Sequence, residues 1–208
     1  MYKVLICDDQ NISRRLFELF VTHSGRYELA ASIPSARAAD TYCARLDIDL
    51  VLMDVVMKDG SDGLTAAARI KKIRPDIKII IVTSMPEVSY LERAKALGIE
   101  SFWYKELDSE PLLSVMDRTM EGERVYPDSA PSVALGMIQS RDLTAAELTV
   151  LREVARGSSN EEIAGALHLS VATVKTHINH MMQKTGFKNR TELAIEARLS
   201  GIVIPDIK

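Results

Sequence analysis

Five short apolar segments alternate with five helical patterns over the first 121 residues of the chain. The apolar segments are nearly continuous in Val, Ile and Leu, which is typical of strands buried on both faces of a parallel sheet. Each is followed by apolar residues at helical spacing, so the region is predicted to be a doubly wound α/β domain. The predicted strands are residues 4–7, 27–33, 50–53, 77–82 and 101–104, and the predicted helices are 12–23, 36–46, 64–73, 88–97 and about 110–121.

The chain from residue 141 to 208 has helical patterns only. Capping boxes at Thr144 and Ser159 open helices that extend to about 156 and 167. A third helix is predicted over about 171–185 and a fourth over about 190–200. The second and third helices are separated by three residues, the spacing of a helix-turn-helix. The prediction is a five-stranded, flavodoxin-like parallel α/β domain at 1–121 followed by a small all-α helix-turn-helix domain at 141–208.

Residues 122–140 contain Gly and Pro with little periodicity, so we expect a linker with a short helix near 133–138. No run approaches the 18 or so apolar residues that a membrane span requires, and the N-terminus does not resemble a secretory signal. The two cysteines, Cys7 and Cys43, have no disulfide or metal spacing. These features favour a globular protein of the reducing cytoplasm.

Acidic residues stand at the ends of two predicted strands. Asp8 and Asp9 follow the first strand, and Asp54 follows the third. The carboxyl ends of parallel strands form the crevice in which α/β sheets bind ligands. Three carboxylates gathered there repel one another by about 4 kcal/mol per pair at about 4 Å and an effective dielectric near 20. A hard divalent cation would neutralise them, and Mg²⁺ is the natural candidate.

Two more strand ends carry polar groups that suit phosphoryl chemistry. Asp54 can act as a nucleophile and form an aspartyl phosphate if a metal ion and positive charge screen the approach. Thr83 ends the fourth strand and Lys105 follows the fifth. A hydroxyl and an ammonium beside the acidic residues could each hold one phosphoryl oxygen.

These residues, in this order at these strand ends, resemble the receiver domain of bacterial two-component response regulators over about 120 residues. The resemblance implies that Asp54 is the phosphoacceptor, and that Asp9 and Asp54 bind Mg²⁺ directly together with the Val56 carbonyl. It also implies that Asp8 acts mainly through water.

The same resemblance implies that Thr83 and Phe102 form a switch pair, in which the hydroxyl approaches the phosphoryl group and the ring turns inward. The loop after Asp54 departs from the family pattern. Lys58 replaces the usual proline and the loop is one residue longer, so we expect it to be more flexible and more charged.

The third helix of the second domain has two different faces. Val174, Ile178 and Met181 recur at core spacing. The opposite face is polar and suits the major groove, since Lys can donate to guanine and Asn can pair with adenine; it consists of Ala172, Lys175, Thr176, Asn179 and Gln183. We expect phosphate contacts from Thr173, Lys184, Lys188 and Arg190. Charge alone does not announce DNA binding, because residues 141–208 hold nine Lys and Arg against eight Asp and Glu.

Residues 141–203 resemble the LuxR/NarL helix-turn-helix signature. The matching residues include Leu143, Glu147, Val150, Leu151, Gly157, Ile163, Ala164, Leu167, Val174, Lys175, His177, Lys184, Asn189 and Ala194. The resemblance implies base reading by Lys175, Thr176 and Asn179, and pairing of two copies through the last helix. The whole chain resembles a NarL/FixJ response regulator.

The resemblance implies a cytoplasmic regulator that a sensor histidine kinase phosphorylates on Asp54 with Mg²⁺, and that dimerises to bind double-stranded promoter DNA. A first alternative keeps the DNA binding but makes it independent of phosphorylation, because of the altered loop. A second is a Mg²⁺-dependent phosphatase, against which Val56 stands where such an enzyme has a second Asp.

Overall fold

A computed structural model describes residues 1–86, 88–105, 110–128 and 130–203. The chain forms two compact units, one mainly from residues 1–129 and one mainly from residue 130 onward. The end of the predicted second domain, 204–208, lies outside the described residues. Among the described residues, no helix has the length and apolar character needed to cross a membrane.

The first unit contains the predicted five-stranded parallel sheet, with strand order β2-β1-β3-β4-β5. The neighbouring strands β1 and β3 lie in register, with Cys7 opposite Met53. The residues that follow these two strands therefore emerge side by side at the carboxyl edge. The strands are β1 (Tyr2–Cys7), β2 (Tyr27–Ile33), β3 (Leu50–Met53), β4 (Lys78–Thr83) and β5 (Ser101–Tyr104).

Five helices connect and cover these strands: α1 (Asn11–His23), α2 (Ala39–Arg45), α3 (Gly63–Ile73), α4 (Val88–Ala96) and α5 (Leu112–Met120). Alternate strand residues such as Val4, Leu50 and Ile80 pack with Phe17 of α1 and Met116 of α5 in one buried cluster. Two helices begin two or three residues later than predicted. Residues 36–38 form a turn, so α2 begins at Ala39. Pro111 is the extended N-cap residue of α5, where its fixed φ of −62° suits an entry to the helix.

The edge strand β5 is covered by the chain that follows α5. The Phe102 amide donates to the Val125 carbonyl at 2.9 Å, and the Val125 amide donates to the Ser101 hydroxyl at 3.1 Å. The Tyr126 hydroxyl donates to the Ile99 carbonyl at 2.6 Å. These bonds satisfy backbone groups that an open sheet edge would leave exposed.

The second unit begins with a hairpin. The prediction of a short helix near 133–138 is therefore wrong. Its strands are β6 (Ala134–Leu135) and β7 (Ile138–Gln139). Gly136 has a φ of +60°, and a Cβ there would lie 2.1 Å from the Thr185 carbonyl oxygen. A left-handed glycine at such a close approach favours a tight turn over a helix. Leu135 of the hairpin is buried in the core of this unit.

As far as residue 203, the rest of this unit contains a short 3₁₀ turn (Ser140–Asp142) and the helices α6 (Ala145–Arg156), α7 (Asn160–Leu167), α8 (Val171–Thr185) and α9 (Arg190–Leu199). Both predicted capping boxes are present, at Thr144 and Ser159. His168 adopts a left-handed φ of +54° at the end of α7, and Ser170 caps α8. This three-residue turn sets α8 as the second helix of a helix-turn-helix.

Candidate phosphoacceptor site and nucleic-acid interface

The predicted acidic residues meet at the carboxyl edge of the sheet. Carboxylate oxygens of Asp8, Asp9 and Asp54 all lie within 4.8 Å of one another. Asp8 and Asp54 are 1% and 4% exposed, and Asp9 is half-buried. The in-register ends of β1 and β3 produce this convergence, since Asp8 and Asp54 directly follow the paired residues Cys7 and Met53.

Lys105 supplies positive charge inside this cluster. Its ammonium donates to Asp8 Oδ2 at 2.7 Å and to Asp54 Oδ2 at 2.8 Å, and its side chain is 7% exposed. The Lys105 amide donates to the Thr83 carbonyl at 2.8 Å, which fixes the start of the loop after β5. The ammonium also lies 5.8 Å from the centre of the Phe17 ring.

Burial and charge act in opposite directions on the two central groups. Burial raises the pKa of Asp54 to about 6, although the charge and hydrogen bond of Lys105 lower it. Burial by itself lowers the pKa of Lys105, but Asp54 and Asp8 outweigh it and the net pKa is raised. At neutral pH the pair is therefore an ammonium beside a carboxylate that holds its charge at a cost in free energy.

Each carboxylate is also oriented by a backbone amide. Asp54 Oδ1 accepts from the Val55 amide at 2.7 Å, Asp8 Oδ1 accepts from the Gln10 amide at 2.8 Å, and Asp9 Oδ2 accepts from the Lys58 amide at 2.7 Å. The three side chains offer only oxygen donors, and Lys105 shows that the cluster accepts a cation. The residues thus fit the hard, oxygen-seeking Mg²⁺. The Val56 carbonyl stays a prediction as a further ligand.

The predicted switch residues are both buried. Thr83 ends β4 with 0% exposure, and Phe102 lies in β5 with 1% exposure. The Phe102 ring centre is 4.9 Å from that of Tyr104 and 6.5 Å from that of Tyr126. Their role as a switch pair remains a prediction.

The loop after Asp54 is held at many points, contrary to the expected flexibility. Val56 and Asp62 form an isolated antiparallel bridge, and Met57 is 1% exposed. Asp59 accepts hydrogen bonds from Ser35, Ser61 and Arg37. The bond from Ser35 is the largest of the effects that hold the pKa of Asp59 well below its ordinary value. The contacts from Arg37 and Ser35 leave no local sequence signal, because 22 and 24 residues separate these residues from Asp59.

The loop closes against Asp54 through Gly63. The Gly63 amide donates to the Val55 carbonyl at 2.8 Å. A Cβ at this position would lie 1.9 Å from the Asp54 carbonyl oxygen. Asp62 accepts from the Thr65 amide as the N-cap of α3 and pairs with Arg93 of α4 at 3.0 Å.

In the second unit α8 has the two faces that the sequence predicts. Val174, Ile178 and Met181 are buried. The exposed residues include Ala172, Thr173, Lys175, Thr176, Asn179 and Gln183. His180 is also exposed on this polar face. It follows Thr176 by one helical turn, a spacing from which the sequence could have placed it on the same face.

Three of the predicted phosphate-contacting side chains have bonds within the unit. The Lys184 ammonium pairs with the buried carboxylate of Glu147 at 2.8 Å. The Arg190 guanidinium donates to the Asn160 side chain at 3.0 Å and to the Ser158 carbonyl at 2.7 Å. The Thr173 hydroxyl lies 2.8 Å from that of Ser170 in the α8 cap. Lys188 is exposed.

Comparison with known proteins agrees with both sites. Residues 4–117 match the family model of the response regulator receiver domain, and residues 141–197 match that of the bacterial regulatory proteins of the luxR family. Response regulator protein VraR of Staphylococcus epidermidis is 32% identical over 200 residues, which span 94% of this chain and 95% of the relative. VraR of Staphylococcus aureus is 31% identical over the same share of each chain.

Solved structures of RcsB share the fold. RcsB of Salmonella enterica serovar Typhimurium, bound to promoter rprA in the presence of the phosphomimetic BeF3-, aligns with a TM-score of 0.63 at 23% identity over 94% of this chain and 98% of that one. A structure of two RcsB dimers bound to two parallel DNAs has the same TM-score and identity over 95% and 98%.

The chain therefore belongs to the two-component response regulators. Within them it is of the kind that joins a receiver domain to a LuxR-type helix-turn-helix, that is, a DNA-binding transcription regulator.

Proposed function

We propose that this protein is a transcription regulator whose DNA binding is controlled by phosphorylation of Asp54. The observation that carries the proposal is the placement of Lys105 between Asp8 and Asp54, at 2.7 and 2.8 Å, at the carboxyl edge of the sheet. This arrangement provides a nucleophile, a fixed cation and an oxygen donor set for Mg²⁺ in one buried crevice.

The phosphoryl donor is proposed to be a phosphohistidine of a sensor kinase. An Asp54 carboxylate oxygen attacks phosphorus, the bond from phosphorus to the imidazole nitrogen breaks, and the leaving nitrogen keeps the electron pair and takes a proton from solvent. Lys105 then turns from the carboxylate to a phosphoryl oxygen, and the Thr83 hydroxyl donates to another. When bound by Asp9, Asp54 and the Val56 carbonyl, with Asp8 acting through water, Mg²⁺ would neutralise charge on the transferred group.

Phosphorylation is proposed to favour an active receiver state, with Thr83 and Phe102 as the switch pair, and this state forms a homodimer. A hundredfold rise in the active fraction needs about 2.7 kcal/mol of differential stabilisation. New bonds from the phosphoryl group to Lys105 and Thr83 can supply it, since hydrogen bonds to charged groups contribute about 1.5–3 kcal/mol each. The RcsB dimers on DNA and the RcsB–promoter complex with a phosphomimetic support a dimeric, DNA-bound active form.

The DNA contacts are proposed to come from α8. Lys175, Thr176 and Asn179 read base edges in the major groove, and the paired α8 helices of a dimer reach half-sites about one turn apart. Lys188 and Thr173 contact phosphates. Lys184 and Arg190 also contact phosphates while they keep their bonds within the unit. A regulator with these partners, promoter DNA and a kinase, works in the cytoplasm.

A decisive experiment uses a small phosphodonor. The full chain is incubated with acetyl phosphate and Mg²⁺, and intact and peptide masses are measured. We expect one added phosphoryl group on Asp54, none on an Asp54→Asn variant, and tighter binding of the phosphorylated dimer to operator DNA. Intact, folded protein without an Asp54 adduct would defeat the phosphoacceptor role.

The second candidate is a regulator that binds DNA without phosphorylation, which the lengthened loop after Asp54 favours. It predicts equal operator affinity for the wild type with and without phosphodonor and for Asp54→Asn and Asp54→Glu variants. DNA affinity that rises only with the Asp54 adduct eliminates this candidate.

A further inference from the structure

The loop after Asp54 is a tight turn on an antiparallel bridge. Val56 pairs with Asp62, the Met57 amide donates to the Ser61 carbonyl at 3.3 Å, and the Gly60 amide donates back to the Met57 carbonyl at 2.9 Å. Lys58 and Asp59 are therefore the two central residues of a four-residue turn. The buried Met57 side chain anchors its first residue.

The Asp59 carboxylate attaches this turn to the connection between β2 and α2. Its Oδ1 accepts from the Ser61 amide at 3.0 Å and from the Ser61 hydroxyl at 2.6 Å. Its Oδ2 accepts from the Ser35 hydroxyl at 2.6 Å and from Arg37 Nε at 3.0 Å. Arg37 Nη2 also donates to the Asp59 carbonyl. Both oxygens and the backbone of Asp59 are thus fixed by donors.

The neighbouring residue of the turn holds one of the cation-site carboxylates. The Lys58 amide donates to Asp9 Oδ2 at 2.7 Å. Lys105 and local amides hold Asp8 and Asp54, but Asp9 is held from the turn. The Lys58 N–H lies in the plane of the Met57–Lys58 peptide, so the orientation of that plane sets the direction in which the N–H points. This peptide belongs to the turn that the hydrogen bonds of Asp59 hold in place.

We propose that Asp59, with Ser35 and Arg37, is a positioning residue for the divalent-cation site: it fixes the turn so that the Lys58 amide orients the Asp9 carboxylate toward Asp8 and Asp54. The inference rests on the proposed function only in taking these three carboxylates as the Mg²⁺ ligands. The greater length of this loop then has a structural role, because it places Asp59 within hydrogen-bonding distance of Arg37 and Ser35.

Long-range charge and positioning make opposite predictions for one variant. Arg37→Ala removes a positive charge near the site, so charge alone would tighten cation binding. Loss of the Arg37 bonds to Asp59 would instead loosen the turn and weaken binding. Similarly, Asp59→Ala and Asp59→Asn remove the same charge, but asparagine keeps a side-chain oxygen to accept from Ser61.

The experiment measures cation affinity directly. Mn²⁺ is titrated into the full chain at pH 7.5, free Mn²⁺ is counted by electron paramagnetic resonance, and Mg²⁺ affinity is obtained by competition. We expect Asp59→Ala and Arg37→Ala to raise the dissociation constant about tenfold, the lower end of what loss of a group that orients a metal ligand costs. Asp59→Asn should stay within about threefold of wild type, since it keeps part of the orientation.

The ion pair of the half-buried Arg74 and the exposed Asp76 provides the matched control. Its atoms lie 2.8 Å apart in the segment between α3 and the start of β4, at the other edge of the sheet. Arg74→Ala and Asp76→Ala make the same charge changes far from the cation site and should leave the affinity within about twofold, because salt screens charges over that distance. Urea unfolding of each variant reports whether it is folded. If a variant is not folded, Ser35→Ala, which changes no charge, takes its place in the titration.

Several outcomes would overturn the proposal. Tighter or unchanged cation binding in folded Arg37→Ala contradicts it. Equal weakening of cation binding in Asp59→Asn and Asp59→Ala also contradicts it, because loss of the Asp59 charge would then explain the whole effect. A wild type that binds no divalent cation contradicts the metal site of the proposed function itself. Wild-type cation binding without phosphorylation of Asp54 contradicts the proposed function and leaves the positioning role of Asp59 intact.

Discussion

The ammonium of Lys105 lies 2.8 Å from Oδ2 of Asp54, and both side chains are more than nine-tenths buried. The contact joins residues that directly follow the third and fifth strands and are 51 residues apart in sequence. It only partly offsets the cost of burying the Asp54 charge, because the pKa of Asp54 still rises to about 6. The first two predictions rest on this imbalance.

Replacing Asp54 with Asn should stabilise the cation-free protein at neutral pH. The pKa of Asp54 is raised from 3.8 to about 6, so its contribution to the free energy of unfolding is fully present below 3.8 and is lost as the pH rises through about 6. Asn avoids that loss, and we expect a gain of about 1–3 kcal/mol at pH 7.5, shrinking toward zero at pH 4. Urea unfolding with EDTA measures both values.

Asp76→Asn serves as the control for that measurement, because Asp76 is exposed and changes there usually stay within about 0.5 kcal/mol. An Asp54→Asn protein that is less stable than wild type at pH 7.5 would show that Lys105 fully compensates the buried charge.

Cation binding should weaken in mild acid. A proton and Mg²⁺ compete for the Asp54 carboxylate, whose pKa is about 6. We expect Mg²⁺ affinity to be nearly constant above pH 7 and to fall by up to about tenfold per pH unit below 6. Calorimetric titrations from pH 5 to 8 test this, and a flat profile over that range would contradict it.

A methyl group at Gly63 should disrupt the first unit. The added Cβ would lie 1.9 Å from the Asp54 carbonyl oxygen, a backbone atom that cannot move without shifting Asp54 itself. We expect Gly63→Ala to cost about 3 kcal/mol of unfolding free energy and to weaken Mg²⁺ binding. Denaturant unfolding followed by circular dichroism measures the change.

The matched substitution is Gly165→Ala. Gly165 is exposed in α7, and a Cβ there meets nothing within 4 Å. Since alanine is the better helix former, this variant should gain about 0.5–1 kcal/mol. Equal effects of the two substitutions would argue against the close approach at Gly63.

Lys184 should contribute to the stability of the second unit, whereas Lys175 should contribute to DNA affinity alone. Lys184→Met leaves the Glu147 carboxylate, 4% exposed, without its cation, at a cost of about 1–3 kcal/mol. Lys175 lies on the exposed face of α8, so Lys175→Ala should leave stability within about 0.5 kcal/mol and cost about 1–3 kcal/mol of operator binding. Thermal unfolding and fluorescence anisotropy with labelled operator separate the two effects.

A Lys184→Met protein with wild-type stability and weaker, less salt-dependent DNA binding would instead restore Lys184 as a simple phosphate contact. The two lysines are both on α8, so they differ mainly in which face of the helix they occupy.

The strand and helix pattern identified the fold because burial on both faces of a sheet leaves a strong apolar signal. The acidic cluster, Lys105 and the polar face of α8 were predictable for a related reason: the end of a strand and the turn of a helix are fixed by local sequence. The hairpin at 134–139 was not, since Gly136 is required by the Thr185 carbonyl, which lies some 50 residues later in the sequence.

The sequence by itself determined the two domain types, the order of their elements and the residues at the sheet's carboxyl edge, because these follow from periodicity, capping and polarity read over a few residues. Only the tertiary structure decided that Lys105 bridges two carboxylates, that Lys184 and Arg190 bond within their own unit, and that Asp59 secures the turn beside Asp9. Each of those contacts joins residues more than 20 positions apart, and their pairing depends on strand register and helix packing, which local patterns do not record.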